Sequence, residues 1–192
     1  MPAEFFPKSV ELLRFLPEII LTITGVLLMV IDPLAGPRWS KLYGNISLVG
    51  LAGALAAAVV AYGTPGPAFS GMLLADGFAA FFRVLVIGVG ILIVLASYRY
   101  LDREGAETGE YHALILFSIA GQCVMVTANE LIMIFIGLEI SSIASYILAG
   151  YLRNDKRNNE ASLKYFLLGS FATAFLLYGI AWIYGLMGST NL

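Results

Sequence analysis

Long apolar runs, each closed by a short polar or Gly/Pro-rich stretch, are the dominant pattern along this chain. Six of them are long enough for a helix to cross a ~30 Å hydrocarbon core, which takes about 20 residues with ~17 as a floor. The pattern predicts helices over roughly 13–31, 43–62, 78–98, 111–128, 130–152 and 160–186. In the first, Pro17 falls in the opening turn, where a missing N–H is tolerated, and Glu18 lies beside the helix amino end. Asp32-Pro33 and Gly36-Pro37 are expected to stop it. Gly50, Gly53, Ala54, Ala57 and Ala58 suit the second helix to close contact with a neighbour, and Gly63 to Pro67 ends it. Arg83, early in the third, is expected to reach the interface or to pair with Asp76. His112, at the loop end of the fourth, is expected at the surface. No strand alternation, internal repeat or low-complexity tract is visible.

Composition turns this pattern into a class. Of 192 residues, 59% are hydrophobic and 12% charged, where a soluble domain has about 25% charged. So little polar surface cannot coat a soluble globule. The expectation is an all-α integral membrane protein, a bundle of six transmembrane helices forming a single domain over residues 1–192. The net charge of -2 says less than the placement of Lys and Arg. Numbering the loops alternately, one side receives Arg38, Lys41, Arg99, Arg103, Arg153, Lys156 and Arg157. The other receives Lys8 and Arg14. The seven-charge side is therefore predicted to be cytoplasmic, with both termini outside. The lone Cys123 sits in an apolar run and is expected to be a buried, inert thiol.

Two ionisable residues stand where lipid opposes them. Glu139 is near the middle of the fifth predicted helix, and Lys164 is about one turn inside the sixth. A charge at bilayer depth costs ~2.5–3.5 kcal/mol or more, so such residues usually face a bundle interior or a proton path. A structural ion pair or a neutral, hydrogen-bonded Glu is the alternative for Glu139, and Lys164 could instead snorkel to the interface. Gly137, Ser141, Ser145 and Ala149 recur every fourth residue and form a ladder of small side chains for close helix packing. Glu139, Ser142 and Tyr146 lie on a different face, a polar stripe beside the carboxyl. At ~1.5 Å rise per residue Glu139 lies far deeper than Lys164, so a direct bridge between them is not expected. No glycine-rich phosphate loop, Cys/His metal or iron–sulfur spacing, or Ser-His-Asp set is present. Redox chemistry in this chain is not expected.

Three stretches carry a family resemblance: GEYHALILFS at 109–118, GLEISSIASYILAGYLR at 137–153 and NEASLKYFLLGSFATAFLLYGIAWIYG at 159–185. With Leu16-Pro17-Glu18 in the first helix, they resemble subunit N of bacterial NADH–quinone oxidoreductase (respiratory complex I), an antiporter-like proton-translocating subunit. The resemblance implies that Glu139 and Lys164 are the proton-pathway glutamate and lysine, with Ser142 and Tyr146 in support. It implies a subunit that couples quinone reduction to proton transfer across the bacterial inner membrane. NADH, FMN, iron–sulfur clusters and quinone would be handled by other subunits, and this chain would bind no cofactor. The expected partners are other membrane subunits of the complex, neighbouring antiporter-like subunits among them, and lipid, with no nucleic acid. Family members continue into a broken seventh helix with its lysine and a second inverted half. The expectation is an amino-terminal portion that is inactive alone. A subunit of a multi-subunit cation/proton antiporter and a non-catalytic truncated scaffold are the alternatives.

Overall fold

The computed structural model describes residues 7–35, 40–106 and 108–192. A short helix α1 (Ser9–Arg14) leads into α2 (Leu16–Ala35) and α3 (Ser40–Tyr62). Strands β1 (Gly66–Ala68) and β2 (Leu73–Ala75) follow, then α4 (Gly77–Glu104), α5 (Gly109–Thr127), α6 (Leu131–Ala149) and α7 (Lys156–Met187). The six helices α2 to α7 are each long and apolar enough to cross a membrane, as the hydrophobic pattern predicts. Their ends differ from expectation for local reasons. Helix α2 runs through Pro33 to Ala35, because a proline in the last turn removes a single backbone bond. The Gly36-Pro37 stop lies outside the described residues, as do Glu4, Arg38 and Glu107. Helix α4 continues past Tyr98 and takes Arg99, Asp102 and Arg103 into its last turns before Gly105 closes it at φ 62. Helix α7 starts earlier than predicted because the Asp155 carboxylate caps it, accepting from the Arg157 backbone N–H at 2.9 Å.

Helix α5 is the centre of the bundle, contacting α2, α3, α4 and α6. Its His112, Ala113, Leu116, Ile119 and Cys123 are buried against Leu21 and Leu28 of α2, Leu51 of α3 and Ile87 and Val94 of α4. In lipid such packing rests on van der Waals fit, since tails are as apolar as the side chains they would solvate. The α5–α6 contact shows what that requires. A Cβ placed on Gly137 would stand 2.7 Å from the Gly121 carbonyl oxygen and the Met125 backbone nitrogen. One on Gly121 would stand 2.7 Å from the Gly137 oxygen and the Ser141 nitrogen. The two backbones touch, and the small-residue ladder of α6 makes that approach. Helix α7 is different, because Ile180 is its buried residue among those described and its contacts are with α6.

The ends of the helices on the side of the β1–β2 hairpin are tied by a ribbon that the sequence pattern did not indicate. The hairpin pairs Gly66 with Ala75 and Ala68 with Leu73, and Leu73 pairs in turn with Ala128. Asn129 donates its backbone N–H to Met72 O at 2.9 Å and its side-chain amide to Gly71 O at 2.9 Å. On its other edge this turn meets the end of the chain. Glu130 pairs with Asn191, and the Leu131 N–H donates to Thr190 O at 2.8 Å. Arg14 of α1 closes the other margin, donating to the carbonyls of Thr64, Pro65 and Pro67 at 2.5–3.0 Å. Backbone groups near hydrocarbon have little water to bond, so each such pairing offsets a desolvation cost.

Two measurements follow from this architecture. Gly137→Val should destabilise the chain by about 1–3 kcal/mol, since its methyls meet backbone that cannot rotate away. Gly88→Ala, whose Cβ would meet nothing within 4 Å, should leave the thermal midpoint in detergent unchanged or slightly raised. Equal midpoints for the two variants would remove the close α5–α6 crossing. For topology, cysteines replacing Glu104 and Ser70 in a Cys123→Ala background should label with an impermeant maleimide from opposite faces of the membrane. Labelling of both from one face would reject the six-span map.

Candidate functional site

Helix α6 presents two faces, as its periodicity predicts. Gly137 and Ser141 turn to α5 and Tyr146 turns to α7, with Glu139 and Ser142 on the Tyr146 face by the helical period. Glu139 is half-buried, and its Oε1 is fully enclosed with no hydrogen-bond partner among the described residues. No hydrogen bond joins it to Ser142. Tyr146 is buried and packs edge-on against Tyr165, with ring centroids 4.7 Å apart, and against Phe166 at 5.8 Å. Its hydroxyl presses on Gly169, and its backbone carbonyl accepts from Ser162 Oγ at 2.8 Å. Tyr146 therefore seats α7 on α6. Lys164 is exposed and pairs with Glu160, one turn back, at 2.5 Å. The direct Glu139–Lys164 bridge that the depths argue against is absent from the ion pairs of the described residues.

A second polar group lies at the α5–α6 contact, and the sequence reading passed over it. Ser118 Oγ and Ser141 Oγ are 3.0 Å apart, and the Gln122 side-chain amide donates to both hydroxyls at 3.3 Å. Gln122 is the amide within the apolar run that becomes α5, and that isolation was the available signal. Toward the loops, Tyr151 is hydrogen-bonded to Thr108 and stacks edge-on with Tyr111 at 5.2 Å. Burial raises the Tyr151 phenol above its ordinary value, against the lowering effect of that hydrogen bond, so it stays neutral. Arg153 and Glu110 approach to 3.7 Å at the exposed rim.

Two expectations are overturned here. Arg83 neither reaches the interface nor pairs with Asp76. It is 3% exposed and holds Glu18, 1% exposed, with Nη2–Oε1 at 2.6 Å and Nε–Oε1 at 2.8 Å. The reason is topological: α2 and α4 both start at the hairpin end, so residues in their first two turns share a depth. Asp76 instead caps α4 by accepting from the Ala79 N–H at 2.8 Å. Glu18 Oε2 is left buried without a hydrogen-bond partner among the described residues. His112 is fully buried, not at the surface, with Tyr111 edge-on at 5.5 Å and both ring nitrogens unbonded among the described residues. Central α5 is enclosed from its first turn onward, so a loop-end position there is no guide to exposure. No group of three or more His, Cys, Asp or Glu positioned to hold a metal occurs among the described residues.

A buried carboxylate–guanidinium pair, a membrane-depth carboxyl with an unbonded oxygen and a small-residue helix crossing belong to a packed bundle of membrane-crossing helices. Comparison with known proteins narrows this. Residues 128–192, which include Glu139 and Lys164, match the family model described as NADH:quinone oxidoreductase/Mrp antiporter, TM. NADH-quinone oxidoreductase subunit N 1 of Solibacter usitatus is 69% identical over 182 residues, covering 95% of this chain and 37% of that protein. Subunit N 2 of Koribacter versatilis is 44% identical, over 98% of this chain and 40% of that protein. Respiratory complex I from Thermus thermophilus contains a chain that superposes with a TM-score of 0.77 at 31% identity. That match covers 92% of this chain and 38% of the other. An archaeal respiratory complex, the membrane-bound sulfane sulfur reductase, gives 0.70 at 26% identity, over 95% of this chain and 38% of its own. The resemblance to subunit N read from three motifs is thus borne out over nearly the whole chain, which spans about two fifths of the length of the curated relatives it matches.

The buried pair generates its own test. Arg83→Met leaves the Glu18 carboxylate without its partner and should cost about 3–5 kcal/mol of stability, whereas replacing both ions by apolar residues is often close to neutral. Reversible denaturation should therefore show Glu18→Leu/Arg83→Met recovering most of the loss seen in Arg83→Met. A double variant as unstable as the sum of its two singles would show that the charges do not act as a pair.

Proposed function

We propose that this chain is part of an antiporter-like membrane subunit of a proton-translocating NADH–quinone oxidoreductase, with Glu139 as a proton-carrying group. The observation that carries the reading is the 69% identity to a subunit N over 182 residues. Its chemistry rests on Glu139. An approaching cation favours the charged form of a carboxyl, and its withdrawal favours the neutral one. With Oε1 enclosed and unbonded, Glu139 has an oxygen free to meet such a partner, so moving a cation toward it would release a proton and moving it away would take one up. Lys164 acts nearer the loops, exchanging its pairing with Glu160, and is coupled to Glu139 through water or a further residue. NADH oxidation, electron transfer through FMN and iron–sulfur clusters, and quinone reduction belong to other subunits. The basic loops face the cytoplasm of a bacterial cell, and the chain sits in the inner membrane beside other membrane subunits, neighbouring antiporter-like ones included. The family model's description also names the Mrp antiporter, which supports cation/proton exchange in a multi-subunit antiporter as the second reading.

Carried in the assembled oxidoreductase, Glu139→Gln should lower the number of protons moved per electron and slow coupled quinone reduction while the complex still assembles. Gln keeps size and hydrogen bonding but cannot titrate. Lys164→Met should have the smaller effect, since its exposed ammonium can be replaced partly by water. Unchanged proton-to-electron stoichiometry in Glu139→Gln would take Glu139 out of the pathway.

A further inference from the structure

Helix α7 meets α6 along a narrow seam. Over residues 163–179 every α7 residue is exposed except Gly169, Ser170 and Thr173. Two contacts fix the register of that seam. A Cβ on Gly150 would stand 2.8 Å from Ser162 Oγ, and one turn further along both helices the Tyr146 ring packs on Phe166. The helices run antiparallel, so each turn toward the hairpin end on α6 is matched by a turn onward along α7. The next turn sets Ser142 opposite Ser170, and the one after it sets Glu139 opposite Thr173. Gly169 is covered by the Tyr146 hydroxyl. Ser170 and Thr173 are shielded at the depth where the register places Ser142 and Glu139.

We propose that Thr173, with Ser170 one turn nearer the loops, is a positioning residue for Glu139: the two hydroxyls form a cradle on α7 for the carboxyl that α6 carries. Unmet hydrogen-bond capacity on both sides of the seam supports this. Glu139 Oε1 is enclosed and unbonded, and the Ser170 hydroxyl makes no hydrogen bond among the described residues. A serine in a helix usually satisfies itself on a carbonyl one turn back, and Ser170 does not. Thr173 does so only at 3.2 Å, to Ser170 O. Threonine divides between two rotamers in a helix, so one rotation turns its hydroxyl from that carbonyl to a neighbour. At ~8–10 Å between packed helix axes a Glu on one helix reaches a hydroxyl on the other. Competing partners are distant. Among the described residues neither α5 nor α7 carries a charged group at this depth. Lys164 and Glu160 pair with each other, and Lys164 lies about 13 Å nearer the loops than Thr173. Cys123 of α5 is packed into the core on the far side. A hydroxyl donates to a carboxylate and accepts from a carboxylic acid, so the cradle holds Glu139 in either charge state. Its bearing on proton transfer rests on the proton-carrying role given to Glu139; the hydrogen bonds themselves do not.

Infrared spectroscopy reads the cradle directly, because the C=O stretch of a protonated carboxyl moves to higher wavenumber when it loses a hydrogen bond. This chain would be reconstituted in lipid and measured at acid pH, with Glu139→Gln subtracted in each background to isolate the Glu139 band. Thr173→Val removes the hydroxyl at nearly constant shape and should shift the band upward. Thr173→Ser restores a hydroxyl and should leave the band in place. Ser170→Ala should shift it in the same direction as Thr173→Val, which keeps the test alive if Thr173→Val does not fold. Ile180→Ala loosens the same helix at its buried residue without touching a hydroxyl and should not move the band. A band unmoved by Thr173→Val, or moved as far by Thr173→Ser, would overturn the proposal. So would an equal shift in Ile180→Ala, which would assign the effect to packing. A Glu139 that stays a carboxylate at acid pH is held by a cation instead and overturns it too. The outcome is separable from pumping: unchanged proton-to-electron stoichiometry in Glu139→Gln removes the proton-carrying role and leaves the cradle standing.

Discussion

Two opposite charges 2.6 Å apart and shut off from water set the terms for the rest of this bundle. Glu18 and Arg83 sit in the first turns of helices that both enter from the hairpin end, and neither charge tolerates hydrocarbon without the other. Their pairing therefore fixes the relative depth of α2 and α4. Helix α5 fills the space that these two and α3 leave, with Leu116 and Cys123 wholly enclosed. Because α5 is surrounded there, α6 is left to approach it from the remaining side, and the contact at Gly121 and Gly137 brings backbone against backbone. A salt bridge at one end and a side-chain-free crossing further in thus hold five helices by quite different physics.

The two membrane-depth carboxyls have received opposite treatment. Glu18 is held by two bonds from one guanidinium, both to Oε1, an arrangement suited to a structural role. Glu139 has no such partner, and its polar neighbours point elsewhere: Tyr146 into the seat of α7, Ser141 to Ser118 and Gln122 across the helix. Lys164 is spent on Glu160 near the loops, where solvent screens the pair and makes it worth little.

Much of this was readable in the residues, and the exceptions share a cause. Apolar run length located α2 to α7, and the four-residue spacing of Gly137, Ser141 and Ser145 identified the face of α6 that meets α5. Depth along each helix separated Glu139 from Lys164. What the pattern could not supply was which helix lies beside which. Read along the chain, Arg83 has the interface or nearby Asp76 within reach, while its actual partner is 65 positions away. His112 was placed at the surface because its helix begins there, and only the central position of α5 buries it. Gln122 and Ser118 gain meaning from Ser141 opposite. Local rules also failed at helix ends, where the Asp155 cap and the tolerance of Pro33 moved boundaries by a few residues.

The ribbon at the hairpin end bears on where this polypeptide can be divided. The amide of Leu131 opens the first turn of α6 and finds its acceptor at Thr190, while Leu192 donates back to Asn129 at 3.2 Å. Residues 190–192 thus belong structurally to the α5–α6 turn, although α7 separates them from it in sequence. A piece cut just after α7, at Gly188, would keep the six described membrane-crossing helices and still strip a hydrogen-bond acceptor from α6 at the water–lipid boundary. Keeping the first amide of the Glu139 helix bonded therefore requires the chain to run at least as far as Thr190.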